Sequence, residues 1–191
     1  MNTTAATAPR ALRADARRNH DAIIAAARAI VAEQGVEAQI QDVARKAGVG
    51  VGTVYRHFAT KDALMGELIS LCARENAQLA REAATIADPW DAFAAVVRNG
   101  CESMAADAAK RRVWQAASVE AFAYAEDAKQ EMHGETSVVI ERARAAGVLR
   151  DDFTVADMPG LMCGLAAVID VGVPGDWRRI VEFALDGLQA R

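Results

Sequence analysis

The chain has 191 residues, of which 52% are hydrophobic and 25% charged, and its net charge is −4. This length is enough for one compact unit or two small ones with a substantial core. Its three cysteines, Cys72, Cys101 and Cys163, are too far apart for a disulfide framework or a cysteine-rich zinc site. We expect a reduced, cytoplasmic location and no membrane association, because residues 161–173 form the longest weakly polar stretch and are too few to span a bilayer.

The charge is unevenly distributed. Residues 1–65 contain nine Lys and Arg against six Asp and Glu, a net charge of +3, whereas the remainder contains thirteen against twenty, or −7. The negative total would argue against nucleic acid, but the distribution matters more than the total. A basic N-terminal third joined to an acidic remainder predicts two functions in one chain.

Hydrophobic periodicity predicts helices almost throughout the chain. The first helix is predicted from Asn19, a suitable N-cap, to a stop at Gly35. Thr60 is predicted to cap a helix that runs into the low eighties, and Asp88 with Pro89 to start another. Further helices are predicted over residues 111–124, 127–146, 157–171 and 176–189. With two short helices near residue 50, the sequence predicts an all-α fold of about nine helices.

The segment IQDVARKAGVGVGTVYRHF predicts two short helices joined by a tight turn. Ala44 is small enough for the helices to cross closely, and Gly48 supplies the positive φ that a three- to four-residue turn requires. Val54 and Phe58 form an apolar i, i+4 pair for the second helix. This is the pattern of a helix-turn-helix, in which the second helix is the recognition helix.

Several side chains beside this apolar pair are hydrogen-bond donors that suit phosphate: Thr53, Tyr55, Arg56 and His57. Lys61, at the first position of the following helix, opposes the helix dipole, and a bound phosphate would reverse that unfavourable term. Gly52 costs about 1 kcal/mol relative to Ala inside a helix. We interpret it as allowing the backbone to approach a flat partner such as a base edge.

The segment VARKAGVGVGTVYRHFATKDAL resembles the DNA-binding motif of tetracycline-repressor-type (TetR family) regulators. The resemblance covers about a quarter of the chain, from the first helix to Leu64. The remainder is similar to the family only in its number of helices and in the closing segment GDWRRIVEFALDGL. Two positions depart from the family pattern: Gln39 stands where Thr often caps the second helix, and Gly50 replaces the common Ser.

The resemblance implies roles for individual residues. Contacts to the DNA backbone are expected from Thr53, Tyr55, His57 and Lys61, with Arg17 and Arg18 added from a basic arm that also contains Arg10 and Arg13. This arm would follow phosphates or enter the minor groove, or would be only a solvated terminus. Base reading is expected from Gln41, Val51 and Gly52, with Arg56 as a further candidate, supplemented by DNA shape. The implied division is a flexible basic arm over 1–18, a DNA-binding domain over 19–60, and a helical regulatory and dimerisation domain over 61–191.

Two sites are predicted in the second domain. Bulky side chains there are either ordinary core or the lining of an apolar pocket for a small-molecule effector: Met104, Trp114, Phe122, Met132 and Met162. Apolar stripes on the last two helices either complete the core or form a two-fold, four-helix dimer interface. The interface residues would be Leu161, Gly164, Leu165, Ile169, Trp177, Val181, Leu185 and Leu188.

We therefore predict a homodimeric DNA-binding transcriptional regulator, most simply a repressor that a small-molecule effector releases from a palindromic double-stranded operator. A constitutive DNA-binding dimer without an effector is the alternative. A small helical enzyme is disfavoured, because no catalytic constellation is readable in the sequence. No metal and no cofactor are expected.

Overall fold

The computed structural model describes residues 8–172 and 176–190, and these residues have the predicted all-α architecture. Within them the chain forms ten helices: α1 (Ala8–Gln34), α2 (Ile40–Ala47), α3 (Val51–His57), α4 (Lys61–Ala84), α5 (Pro89–Ala106), α6 (Ala108–Ala116), α7 (Val119–Ala123), α8 (Glu126–Ala145), α9 (Met158–Val171) and α10 (Trp177–Asp186). None of the helices in the described ranges is both long and apolar enough to cross a membrane.

Helix α1 starts eleven residues earlier than predicted. It begins at Ala8, so the prediction that Asn19 caps it is wrong, and residues 8–18 extend the helix rather than forming a separate arm. The reason is that this segment is rich in Ala and Arg, which are good helix formers, and carries Pro9 at a first-turn position where proline is tolerated. Residues 1–7 and the side chains of Arg10 and Arg13 lie outside the described part of the chain.

Most other predicted helix ends are confirmed by their capping geometry. The Thr60 hydroxyl accepts a hydrogen bond from the Ala63 amide at 3.0 Å at the start of α4. Asp88 caps α5, with Pro89 as its first residue. The stop after α1 is Gly35, whose φ of +78° is readily accessible only to glycine.

The predicted helix over residues 111–124 is two helices, which accounts for the additional element. Asp107 caps α6, because its Oδ1 accepts from the Ala109 amide at 2.8 Å. The backbone is extended at Ala117, and the Ser118 hydroxyl then accepts from the Ala121 amide at 3.1 Å to start α7. Each short helix therefore has its own side-chain cap.

The last helix is shorter than predicted, because the chain after it pairs with another segment. Helix α10 ends at Asp186. The Arg150 amide donates to the Leu188 carbonyl at 3.0 Å, and the Ala190 amide donates to the Val148 carbonyl at 3.1 Å. These bonds hold the tail against the segment that follows α8.

The helices enclose two hydrophobic cores. The first joins α1, α2, α3 and the N-terminal half of α4 with residues from α6 and α7, including Ala109, Val113 and Ala121. The second joins the C-terminal half of α4 with α5, α8, α9 and α10. Helix α4 contributes to both cores, and the core of the helix-turn-helix extends well beyond residue 60.

Helices α4 and α7 approach very closely at Gly66. A Cβ at this position would lie 2.4 Å from Tyr124 Cβ and 2.9 Å from the Ala121 carbonyl oxygen. One turn earlier on α4, Asp62 accepts a hydrogen bond from the Ser118 hydroxyl at 2.6 Å. The N-terminal half of α4 is therefore fixed to α7.

Candidate nucleic-acid interface and ligand cavity

The turn between α2 and α3 has the predicted geometry. Gly48 ends α2 with φ +68° and ψ +27°, which is the left-handed conformation. The Val49 amide then donates to the Ala44 carbonyl at 3.0 Å, which closes the turn. Gln39 provides no side-chain cap for α2 and donates instead to the Glu37 carbonyl at 2.8 Å, as expected from the departure at that position.

The apolar pair of the second helix is buried as predicted. Val54 is 0% exposed and Phe58 7%. The residues assigned to DNA contact lie nearer the solvent. Tyr55 is 48% exposed; Gln41, Gly52 and Arg56 are exposed, and Val51, Thr53, His57 and Lys61 are half-buried. The His57 ring lies 6.0 Å from that of His20, which brings α1 beside the end of α3.

The basic side chains in this region differ in whether they have an acidic partner. Arg18 pairs with Asp15, Arg45 with Asp42, Lys46 with Glu33, and Arg28 with Glu75 and Asp107. Within residues 14–65, Arg17, Arg56 and Lys61 form no ion pair with a described residue. Arg56 instead donates to the Gly52 carbonyl of its own helix at 3.2 Å. No described acidic side chain balances the charge of these three cations.

The glycine in the recognition helix has no packing role inside the chain. A Cβ added at Gly52 would meet nothing within 4 Å, and the residue is exposed. A methyl group there would also favour the helix by about 1 kcal/mol. Folding therefore gives no reason for glycine at this position, and its close approach to a partner stays a prediction.

The five side chains predicted to line a pocket surround one cavity of about 280 Å³. Met104 comes from α5, Trp114 from α6, Phe122 from α7, Met132 from α8 and Met162 from α9. Most of the remaining wall is also apolar. The polar residues of the wall are Asn76, Gln115, Lys129, His133 and Thr136.

Two residues that line the cavity each have a buried polar atom without a hydrogen-bond partner within the described structure. The two atoms are Asn76 Oδ1 and Trp114 Nε1. The Asn76 amide nitrogen has only a long contact of 3.7 Å to Met132 Sδ. The sequence analysis missed Asn76, although an Asn on the otherwise apolar face formed by Cys72, Ala73, Ala77 and Ala80 of α4 is a detectable signal.

A charged cluster connects the first helix to the cavity helices. Arg28 of α1 donates to Asp107 at 2.6 Å and to Glu75 of α4 at 3.2 Å. Lys110 of α6 is only 1% exposed, and its ammonium group bonds to Ser103 Oγ at 2.7 Å and lies 3.4 Å from Glu75. Sequence reasoning missed this cluster, because Arg28, Glu75 and the segment from Ser103 to Lys110 are separated by dozens of residues.

The pKa of Asp107 reflects its two roles in this cluster. Burial alone would raise this pKa, but the amides of α6 and the Arg28 guanidinium stabilise the carboxylate and hold the pKa below its ordinary value. Asp107 is thus charged at neutral pH, both as the cap of α6 and as the partner of α1.

Several residues predicted to form a dimer interface are core residues of the single chain, so that part of the prediction is wrong. Leu165, Val181 and Leu185 are 5%, 2% and 1% exposed, because this side of α9 and α10 covers α5. Four others are half-buried against the same core: Leu161, Ile169, Trp177 and Leu188. Gly164 is exposed, and a Cβ there would meet nothing within 4 Å.

The exposed apolar face of α9 and α10 carries other side chains. Val171 is 77% exposed, Phe183 55% and Ile180 36%. On α9, Gly160, Gly164, Ala167 and Val171 follow one another at i, i+4, i+7 and i+11, and all four are exposed. This face has no partner within the described chain.

Among the described residues, no group of three or more His, Cys, Asp or Glu could hold a metal ion.

Two known families match separate parts of the chain. The family described as bacterial regulatory proteins, tetR family, matches residues 23–68. The family described as transcriptional regulator SbtR-like, C-terminal domain, matches residues 88–190. No curated protein matches the chain.

Solved structures of bacterial regulators have the same fold. A TetR transcription regulatory protein from Mycobacterium vanbaalenii is 29% identical, with a TM-score of 0.60 over 94% of this chain and 99% of that one. A TetR transcriptional regulator from Streptomyces coelicolor is 26% identical, with a TM-score of 0.56 over 89% and 98% of the two chains. FadR from Bacillus subtilis, solved in complex with stearoyl-CoA, is 17% identical and shares the fold, with a TM-score of 0.71 over 87% and 96%.

Proposed function

Because the chain belongs to the TetR family of transcriptional regulators, we propose that it represses transcription as a homodimer bound to a palindromic operator and leaves the DNA when a small molecule fills the cavity. The single observation that carries the DNA-binding part is the surface around α3. There Tyr55 is 48% exposed, and Arg56 and Lys61 have no acidic partner among the described residues.

The DNA-contact residues divide into two groups in this proposal. Thr53, Tyr55, His57 and Lys61 hold phosphates, with Arg17 and Arg18 added from the exposed side of α1. Gln41, Val51, Gly52 and Arg56 face the bases, and Val51 suits a thymine methyl group. Arg18 has to exchange its exposed Asp15 partner for a phosphate, which costs little because exposed ion pairs are weak.

Helices α6 and α7 supply the connection between the cavity and the DNA. Their inner residues, such as Val113 and Ala121, belong to the core of the helix-turn-helix, whereas Trp114 and Phe122 line the cavity. In addition, Arg112 of α6 donates to the Ala32 carbonyl near the end of α1 at 2.7 Å. A ligand that displaces Trp114 or Phe122 therefore acts on helices that carry the DNA-binding core, which changes the separation of the two recognition helices.

The proposed dimer uses the outer rather than the inner face of α9 and α10. Val171 and Phe183 are large apolar side chains in contact with solvent in the single chain, and Gly160 and Gly164 let a second helix approach closely. Two copies related by a two-fold axis would bury these faces against each other in a four-helix arrangement. The same axis places two recognition helices against successive major grooves.

The experiment that tests DNA binding is a titration of the full chain against duplexes from the region upstream of its own gene, followed by selection from randomised sites. Tight binding to a palindrome is expected. Gln41→Ala and Val51→Ala should change the preferred bases while non-specific affinity stays within about twofold. Unchanged preferences in both variants would remove these residues from base reading.

A variant whose cavity is partly filled distinguishes a ligand-responsive repressor from a constitutive one. Ala166 is 1% exposed and lines the cavity, so Ala166→Leu occupies part of its volume. If a molecule that stabilises the native protein also releases it from DNA, the variant should bind DNA normally and fail to respond to that molecule. A protein that no small molecule releases from its operator would be the constitutive dimer.

A further inference from the structure

The charged side chains of the cavity wall point to the chemistry of the ligand. Building on the proposed function, we propose that the cavity takes an amphipathic organic anion, a small apolar body with one carboxylate, and that the carboxylate pairs with the Lys129 ammonium group. The assignment depends on the lining of the cavity, the position of Lys129 and the weakness of the ion pair that Lys129 now forms.

The size and lining of the cavity limit the ligand to a small apolar body. A volume of about 280 Å³ is close to the lower limit for small-molecule sites. Four methionines line it, Met104, Met132, Met158 and Met162, together with Trp114 and Phe122. Methionine adapts its shape to irregular apolar surfaces, so the wall selects for hydrophobicity more than for one outline.

The charge of the wall favours an anion over a cation. Among the described residues that line the cavity there is a lysine, Lys129, but no Asp or Glu. A ligand cation would therefore have no wall carboxylate to pair with, and burying an unpaired charge is unfavourable. The face of the Phe122 ring could attract a cation, but the Lys129 ammonium nitrogen already lies 5.6 Å from the ring centre.

The Lys129 side chain lies against the cavity. It is 23% exposed, and the Phe122 ring beside its ammonium group is itself part of the wall. Lys129, Met132 and Thr136 follow one another on α8 at i, i+3 and i+7, so they share one face of the helix, and all three line the cavity. An apolar ligand among the methionines can thus direct its polar end towards Lys129.

The present partner of Lys129 is one that a ligand can replace. The Lys129 ammonium nitrogen lies 2.9 Å from Glu126 Oε2, three residues earlier on the same helix. The Glu126 side chain is 53% exposed and is not part of the wall. Water and salt screen an ion pair of this kind, so it contributes little to stability. A carboxylate inside the apolar cavity is screened less and competes with Glu126 for the ammonium group.

The test compares three probes with the same eight-carbon chain: sodium octanoate, octan-1-ol and octylamine hydrochloride at pH 7. Each is titrated into the full-length protein labelled with ¹⁵N, and the three indole N–H signals are followed by NMR. Trp114 reports on the cavity, whereas Trp90 and Trp177 lie outside its wall and serve as internal references. Octanoate should bind more tightly than octan-1-ol and at least tenfold more tightly than octylamine.

Variants of the ion pair make the sharper test. Lys129→Met keeps an unbranched side chain but removes the charge, so it should weaken octanoate binding about tenfold, whereas Lys129→Arg should retain the preference for octanoate. Glu126→Gln removes the competing carboxylate and should strengthen octanoate binding about threefold. Glu131→Gln makes the same charge change on α8 outside the wall and should alter affinity less than twofold. Octan-1-ol should bind all four variants within threefold of the native protein, which shows that the cavity is intact.

The outcomes separate this inference from the proposed function. Tighter binding of octylamine than of octanoate, or octanoate binding that is the same in Lys129→Met, would overturn the inference and leave a ligand-responsive regulator intact. Weaker binding of octanoate to Glu126→Gln, or no binding by any probe, would overturn it as well. Operator binding and its loss in Lys61→Ala are measured without probes, so a failure of the DNA-binding proposal appears independently.

Discussion

In the helix-turn-helix, the residues assigned to DNA contact take little part in the core, whereas around the cavity the residues assigned to the ligand also fill the core. Tyr55 is 48% exposed, while Met104 and Thr136 in the cavity wall are 5% and 6% exposed. Substitutions at the exposed α3 positions, such as Tyr55 and Arg56, are therefore expected to affect DNA binding without disturbing the fold. In the cavity wall, each substitution changes packing and recognition together.

The largest effect is expected from separating the protomers. Phe183→Glu places a charge on the exposed apolar face of α10 without touching the buried Val181 or Leu185. Burying that charge against a second copy is unfavourable, so we expect monomers by sedimentation velocity and operator binding at least a hundredfold weaker. Val138→Glu on α8 is the matched control, because Val138 is 60% exposed and lies outside the proposed interface. A stable Phe183→Glu dimer would exclude this face.

The next largest effect is on stability at the α4–α7 contact. In Gly66→Ala the new methyl group meets Tyr124 Cβ and a backbone carbonyl, neither of which is the far end of a flexible side chain. Urea denaturation should show a loss of about 1–3 kcal/mol in the free energy of unfolding. Gly134→Ala on α8 is the control, because nothing lies within 4 Å of its Cβ, and it should stabilise the protein by up to about 1 kcal/mol. Equal effects would mean that the close contact does not exist in solution.

A smaller effect is expected from removing one phosphate contact. Lys61→Ala should weaken binding about tenfold on every DNA sequence tested, and the slope of log affinity against log salt should become less steep by about two for a dimer. Arg74→Ala, on the same helix but far from its N-terminus, should leave both quantities unchanged. If Lys61→Ala changes base preference instead, the residue reads sequence rather than phosphate.

The smallest effect concerns the link between α1 and α6. Asp107→Asn keeps a capping side chain but removes the charge, whereas Asp107→Ala removes both, and the Ala variant should lose about 1–2 kcal/mol. The pKa of Asp107 is lowered in the folded chain from 3.8. The native protein should therefore have a higher free energy of unfolding than Asp107→Asn above pH 3.8. This difference in free energy is lost as the pH falls through the lowered pKa of Asp107. Thermal unfolding between pH 7 and pH 3 measures it, and a constant difference across this range would contradict the assignment.

Local signals predicted the N-terminal region well. Gly48, Val54 and Phe58 act within one turn of their neighbours, so their roles can be read from spacing alone. The capping residues Thr60 and Asp88 are equally local. The start of α1 was missed because the Ala- and Arg-rich segment before Asn19 favours helix strongly enough to continue through this weak helix former. A capping residue is a preference for a helix start and does not prevent the helix from extending past it.

Long-range packing limited the prediction of the second region. Helix α9 is apolar nearly all round, so its sequence cannot say which side covers α5 and which faces solvent, and the wrong side was chosen for Leu165. The cavity residues were predicted as a group because bulky side chains are rare in this chain, with an aromatic content of 5%. Asn76 and the Arg28–Asp107 pair depend on contacts between distant segments, which spacing does not reveal.

The tight contact at Gly66 has a mechanical consequence for the long helix that carries it. At 1.5 Å per residue, the contact lies about 8 Å from Lys61 and about 15 Å from Asn76 along α4. If α4 tilts as a rigid rod about Gly66, with the Asp62–Ser118 hydrogen bond adjusting to the motion, the two ends of α4 move in opposite directions about α7. A displacement at Asn76 then moves Lys61 in the opposite direction and by about half as much. In a two-fold symmetric dimer, the displacements of both protomers add to the change in distance between the two recognition helices.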